Sequence, residues 1–171
     1  MIGHQAQTPT FRSAREFFEA ARAAVRDMAE AQEQLDRLDE PATDGGTGLG
    51  AHVRSSATPD AIGARVVRKV AKAERLERRI AYDELLADSA GEVIWGPSWD
   101  GFAGVASLLT DRHADVMDRY YVEALTWPET AAAMHLSVSR CRQLRNVACD
   151  CVDAYGIARV LEGSGIATDE R

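Results

Sequence analysis

Residues 126–149, TWPETAAAMHLSVSRCRQLRNVAC, read as two short helices joined by a tight turn. Thr126 is a good N-cap and Glu129 stands three residues on, so the pair can form a capping box. Pro128 falls in the first turn, where its missing N–H breaks no helical bond. Ala131 and Met134, then Cys141, Leu144 and Ala148, make two short apolar stripes at helical spacing. His-Leu-Ser separates them, with Ser137 placed to cap the second helix. Val138, Ser139, Arg142, Gln143 and Asn146 then fall on the outer face near that helix's start, with Arg140 and Arg145 beside them. Arg and Gln are the side chains that pair bidentately with guanine and adenine edges. The same spacing also fits an ordinary helical hairpin with a polar surface.

Composition narrows the classes. The chain has 171 residues, enough for one domain or a small domain with an extended appendage. Apolar content is ordinary and aromatic content low at 6%, which fits a modest all-α core better than a β sandwich. There is no apolar run of membrane-spanning length and no signal peptide, so no membrane partner and a cytoplasmic location are expected. A net charge of −7 counts against a protein that coats nucleic acid non-specifically. Yet Arg140, Arg142 and Arg145 cluster with no acid until Asp150, which supports a small, salt-sensitive contact footprint. Cys141, Cys149 and Cys151 share one predicted helix without metal-ligand spacing, and the first two suit small core positions. The histidines 4, 52, 113 and 135 are scattered, so no metal site, cofactor or catalytic residue is expected.

Upstream, the first ten residues are polar and unpatterned. Ala14, Phe17, Ala21, Ala24, Met28, Ala31, Leu35 and Leu38 then follow at alternating gaps of three and four, a coiled-coil seam that needs a partner. Residues 41–58 carry Pro41 and four glycines with no strand before them and no Gly-Lys-Ser/Thr after, so they read as a linker rather than a phosphate loop. A second helix is expected from about Pro59 to Asp88, with Ile62, Val66, Val70, Ala73, Leu76 and Ile80 as its apolar line. Its basic stripe of Arg65, Arg68, Lys72, Arg75 and Arg79 has two available roles. It can lie along DNA phosphates, or it can match Glu16, Glu19, Glu30, Glu33 and Glu40 across an antiparallel hairpin, which is the favoured role.

Residues 89–99 look irregular, broken by Gly91, Gly96 and Pro97 and anchored by Trp95 and Trp99. A helix from about Trp99 to Leu109, one capped by Thr110, the Thr126 helix and a long final helix from Val138 to about Leu161 follow. The tail GSGIATDER is expected to fray, and no strand is expected. The domains are thus a helical hairpin over 12–88, with its linker at 41–58, and a helical module over 98–161.

The run LLTDRHADVMDRYYVEALTWPETAAAMHLSVSRCRQLRNVACDC resembles region 4 of bacterial sigma factors, the helix-turn-helix that grips the upstream promoter element. The matching frame is Leu109, Arg112, Val116-Met117, Arg119-Tyr120-Tyr121, Glu123, Leu125, Glu129, Ala131, Met134, Ser137, Arg140-x-Arg142-Gln143-Leu144 and Ala148. The whole layout, including Val53-Arg54-Ser55-Ser56, is similar to the phage and prophage ArpU-type late transcription regulators. The resemblance implies that Ser139, Arg142 and Gln143 read bases and that Arg140 contacts phosphate. Val138 replaces a usually basic residue, His135 stands where Gly is usual, and Thr130 replaces a buried aliphatic.

These readings lead to a sequence-specific, sigma factor-like transcription regulator of phage or mobile-element origin, with recognition helix 138–150 in the major groove of double-stranded DNA. Its hairpin would form a homodimer or meet RNA polymerase. The alternatives are a small terminase-like DNA-packaging protein, and a coiled-coil interaction protein that binds RNA polymerase or a sigma factor without reading DNA. An enzyme is the least supported class, because no nucleophile–base set or paired carboxylates stand at a useful spacing.

Overall fold

The structure, a computed structural model, describes residues 10–39, 59–97 and 101–167. Seven α-helices and one π-helical turn make up the described residues, with no strand among them. The helices are α1 (Ala14–Asp39), α2 (Pro59–Trp95), α3 (Val105–Leu108), α4 (Asp111–Met117), α5 (Trp127–Met134), α6 (Val138–Tyr155) and α7 (Ile157–Val160), and the π turn (Asp118–Val122) follows α4 directly. No helix among the described residues is long and apolar enough to cross a membrane. The linker at 41–58, Trp99 and the end of the tail lie outside the described residues.

The chain divides into two compact units at other places than the expected boundaries. One joins the described residues up to Asp27 to those from Asp83 onward, and the other is Met28–Tyr82. The first half of α1 therefore belongs with the C-terminal helices. The reason is aromatic: Phe17 and Phe18 are fully buried, and Phe18 stacks on the ring of Tyr121 at 5.2 Å between centroids. The seam read from Ala14 onward supplies this unit with Ala14, Phe17, Ala21 and Ala24 before α1 passes into the other unit. The start of α1 is also tied down. Ser13 Oγ accepts the Glu16 N–H, and Asp153 of α6 accepts the Ala14 N–H at 2.6 Å, satisfying donors that a helix start leaves open.

Several boundaries differ from the expected ones. Helix α2 continues through Gly91 to Trp95, because Ser89, Ala90, Val93 and Ile94 are all buried and that packing outweighs a glycine cost of about 1 kcal/mol. Trp95 is 42% exposed and is not the anchor it was expected to be; Phe102 is buried instead, its ring edge-on to Tyr155. Among the residues described beyond 97, α3 is a single turn. Gly104 precedes it with φ 86°, and a Cβ there would come within 2.6 Å of the Gly96 nitrogen, so this close approach of backbones requires glycine. Thr110 holds the N-cap position of α4, but its hydroxyl turns to His113 Nδ1 at 2.8 Å instead of a backbone N–H. The final helix breaks at Gly156, also at φ 86°, and restarts as α7. The segment after it does not fray through Ala167: Ser164 Oγ donates to the Leu161 carbonyl and accepts the Ile166 N–H, and Ile166 is buried.

In the unit Met28–Tyr82, the end of α1 and the start of α2 are the described elements, with Ala31 and Leu76 as its buried apolar residues. The expected charge matching between them does not form at Arg65, Arg68, Lys72 and Arg75, which have no ion pair among the described residues. Glu33 pairs instead with Arg37 one turn along α1, and Glu74 with Arg78 along α2. Intrahelical i,i+4 partners are held in reach by the helix itself, whereas an interhelical pair must also order two long side chains.

Candidate functional site

The Thr126–Cys149 segment folds as its caps dictate. Thr126 and Glu129 form the full capping box: the Glu129 carboxylate accepts the Thr126 N–H at 2.7 Å and its hydroxyl at 2.6 Å, and the Thr126 hydroxyl accepts the Glu129 N–H. These bonds, the side-chain one foremost, hold the Glu129 carboxyl below the usual carboxylate range. Helix α5 ends at His135 in the left-handed region, φ 53° and ψ 41°. The Leu136 N–H bonds to the Ala131 carbonyl and the His135 N–H to the Ala132 carbonyl, the two bonds of a Schellman motif. Ser137 then caps α6, its hydroxyl accepting the Arg140 N–H at 3.1 Å. Between the helices, Ala131, Cys141 and Leu144 pack with Val116 of α4 into one apolar cluster, flanked by Trp127, Met134, Leu136 and Val138.

That packing sorts the expected contact residues. Ser139, Arg140, Arg142, Gln143 and Asn146 are exposed along one side of α6. Arg140 donates to the Gln143 side-chain oxygen at 3.2 Å, so the two extend together. Arg142 lies over the indole of Trp127, its guanidinium carbon 5.5 Å from the ring centroid, and Arg145 lies over the same ring at 5.2 Å. Val138 is half-buried in the inter-helix cluster and Arg145 is largely withdrawn from solvent, so neither stands on the exposed face with the others. Arg145 donates to the Tyr121 hydroxyl at 3.3 Å and lies 3.8 Å from the Glu19 carboxylate of α1.

The π turn supplies Arg145 with a partner, Tyr121, that Arg142 does not have. By widening one turn, it turns Tyr121 inward, fully buried against Phe18, while its neighbour Tyr120 stacks on Trp127 with centroids 3.8 Å apart and planes 16° from parallel. Burial pushes the Tyr121 phenol well above its ordinary value, so it stays neutral, accepting from Arg145 and donating to Glu19. On the other side of Tyr120, the buried Arg22 of α1 holds its guanidinium 4.0 Å over the ring and donates to the Tyr120 carbonyl. Arg22, Tyr120 and Trp127 therefore form a continuous cation–aromatic stack, with Arg142 and Arg145 both over Trp127, that backs the exposed face.

Two contributors were missed from sequence. One is Arg22, a buried charge on α1 at a position outside the apolar seam. Arg15, also on α1, is exposed and donates to the Asn146 side chain at 3.0 Å, adding a cation beside the face. Its only signal is that the α1 seam is aromatic at Phe17 and Phe18 and so needs a core larger than a two-helix hairpin provides.

His113 stands near the start of α6, and burial, with the positive charge of Arg140, lowers its pKa below 6.5. Cys141 and Cys149 are buried as expected, and Cys151 is half-buried; all are free thiols. Among the described residues no cluster of His, Cys, Asp or Glu could hold a metal ion. Two open clefts lie elsewhere, one of about 560 Å³ beside Phe11, Asp153 and Ile157 and one of about 400 Å³ beside Gly91, Trp95 and Val122. Together these features define a predominantly helical protein with a polar, cation-rich helix face. No family model, curated protein or solved structure matches the chain.

Proposed function

We propose that this protein is a sequence-specific DNA-binding regulator, in which α5 and α6 act as a helix-turn-helix of the sigma factor region 4 kind and α6 enters the major groove. The exposed row Ser139, Arg140, Arg142, Gln143 and Asn146 beside the α6 N-terminus carries this reading. A merely solvated helix has no use for an arginine steadied over a tryptophan that is itself braced by Tyr120 and Arg22. Such bracing suits a side chain that must present two donors to a guanine edge at low entropic cost. Arg140 within the row and Arg15 beside it suit phosphate, while Gln143 has the donor and acceptor that adenine needs. Val138 and Arg145 are left out of the contact set, so the footprint is smaller than the sequence suggested.

The ArpU-type late regulators are the family this reading favours. Selection from a random duplex pool at low salt tests it. A recovered motif is the expected result. Recovery of no motif would favour the interaction protein that meets RNA polymerase without reading DNA, which the net charge of −7 also suits.

A further inference from the structure

In the unit Met28–Tyr82, the first part of α2 presents Val66, Val67 and Val70 to solvent at 55%, 67% and 51% exposure. Arg65, Arg68, Lys69 and Lys72 surround them, every one exposed, and residues 63–73 include no acid. Four valine-flanking cations with no ion pair among the described residues leave both an apolar stripe and a charge excess without a partner. Helix length is one reason the stripe is bare. Within this unit α1 contributes residues 28–39, about 18 Å at 1.5 Å per residue, and α2 residues 59–82, about 36 Å, so α1 cannot cover α2 from end to end there.

The complementary surface is on this same chain. Over 28–39, α1 exposes Glu30, Glu33, Asp36 and Asp39 against one cation, Arg37, with Leu35 and Leu38 half-buried beside them. We infer that two copies associate through this unit, the valine stripe of each α2 lying on the acidic end of the other copy's α1. Such a contact is isologous: each copy gives one basic and one acidic surface, and a two-fold axis closes the pair. Flanking charges set partner and orientation in helical assemblies, and here they oppose the alternative in which one α2 stripe meets the other, since that would bring cations onto cations. The exposed valines distinguish this surface from one shaped only for phosphate, which needs no apolar stripe. The inference is independent of DNA reading and is tested without DNA.

Sedimentation of the full chain at low salt gives the mass. A species of twice 18.6 kDa is expected, weakening as salt rises. The triple variant Arg65→Glu/Lys69→Glu/Lys72→Glu should raise the dimer dissociation constant by about tenfold or more. The reverse variant Glu30→Lys/Glu33→Lys/Asp36→Lys should do the same. Mixing the two variants should restore a paired species, because one reversed surface of each then finds its opposite; restoration also shows that both variants fold. A wild-type chain that stays monomeric at low salt, reversals that leave the mass unchanged, or a mixture that stays monomeric would each overturn the inference. So would a monomer whose reversal weakens binding to every DNA duplex alike, which would make the basic row a phosphate contact.

Discussion

The Arg145 guanidinium donates to the buried Tyr121 hydroxyl at 3.3 Å and lies 3.8 Å from Glu19, joining α6 to the π turn and to α1. A residue placed in this way holds the unit together. Arg145→Ala should therefore destabilise the protein by about 1–3 kcal/mol, the range for a charged hydrogen bond lost from a part-buried site. Arg140→Ala, on the exposed side of the same helix, should change stability by less than about 0.5 kcal/mol. Urea denaturation of both variants checks this, and equal midpoints would contradict it.

Thr130 and His135 are two local costs that substitution should relieve. Thr130 is fully buried with no partner for its hydroxyl among the described residues, and Thr130→Val keeps the shape while removing the polar atom. His135 holds a left-handed backbone that glycine adopts without strain. Each change should raise stability by about 1 kcal/mol, and the two should add because they relieve different terms. Thermal unfolding of the single and double variants is the measurement; a double variant no more stable than wild type would contradict both assignments.

His113 sets a pH dependence of known sign. Its pKa in the fold lies below 6.5, so the unfolded chain takes up a proton first as the solution is acidified. The stability tied to neutral His113 is complete above pH 6.5 and is lost as pH falls through the lower, folded value. His113→Gln should flatten the stability curve across that window. An unchanged slope in the variant would assign the loss to another group.

The thiols should react in the order of their exposure. Burial pushes Cys149 up to about 11 and also raises Cys141 and Cys151, so no thiol is activated. Native protein treated with an aromatic disulfide reagent should label half-buried Cys151 first, with Cys141 and Cys149 following only on unfolding. Mass mapping of the labelled peptides checks the order.

What the sequence made legible was local. The Thr126–Glu129 box and the Ser137 cap each depend on residues within three or four places of one another, and each is found where expected. The association of α1's first half with the C-terminal helices depends on Phe18 meeting Tyr121 more than a hundred residues away, and no local pattern carries that. A usable signal for Arg145 did exist. Val138, Cys141, Arg145, Ala148 and Val152 follow at gaps of three and four, which sets Arg145 on the inward line of α6. Its charge suggested a surface residue, whereas Tyr121 and Glu19 supply it with a partly buried site. Gly156 was likewise an audible stop, passed over because apolar residues continue beyond it to Leu161.

On the proposed reading, Arg142, lying over Trp127, meets a base edge. Fluorescence anisotropy with a selected duplex and with single-position variants of it tests that most directly. Arg142→Ala should weaken binding to the selected site by about 1–3 kcal/mol and abolish discrimination at one position only. A variant that loses affinity equally on every duplex, with every position still discriminated, would contradict the claim.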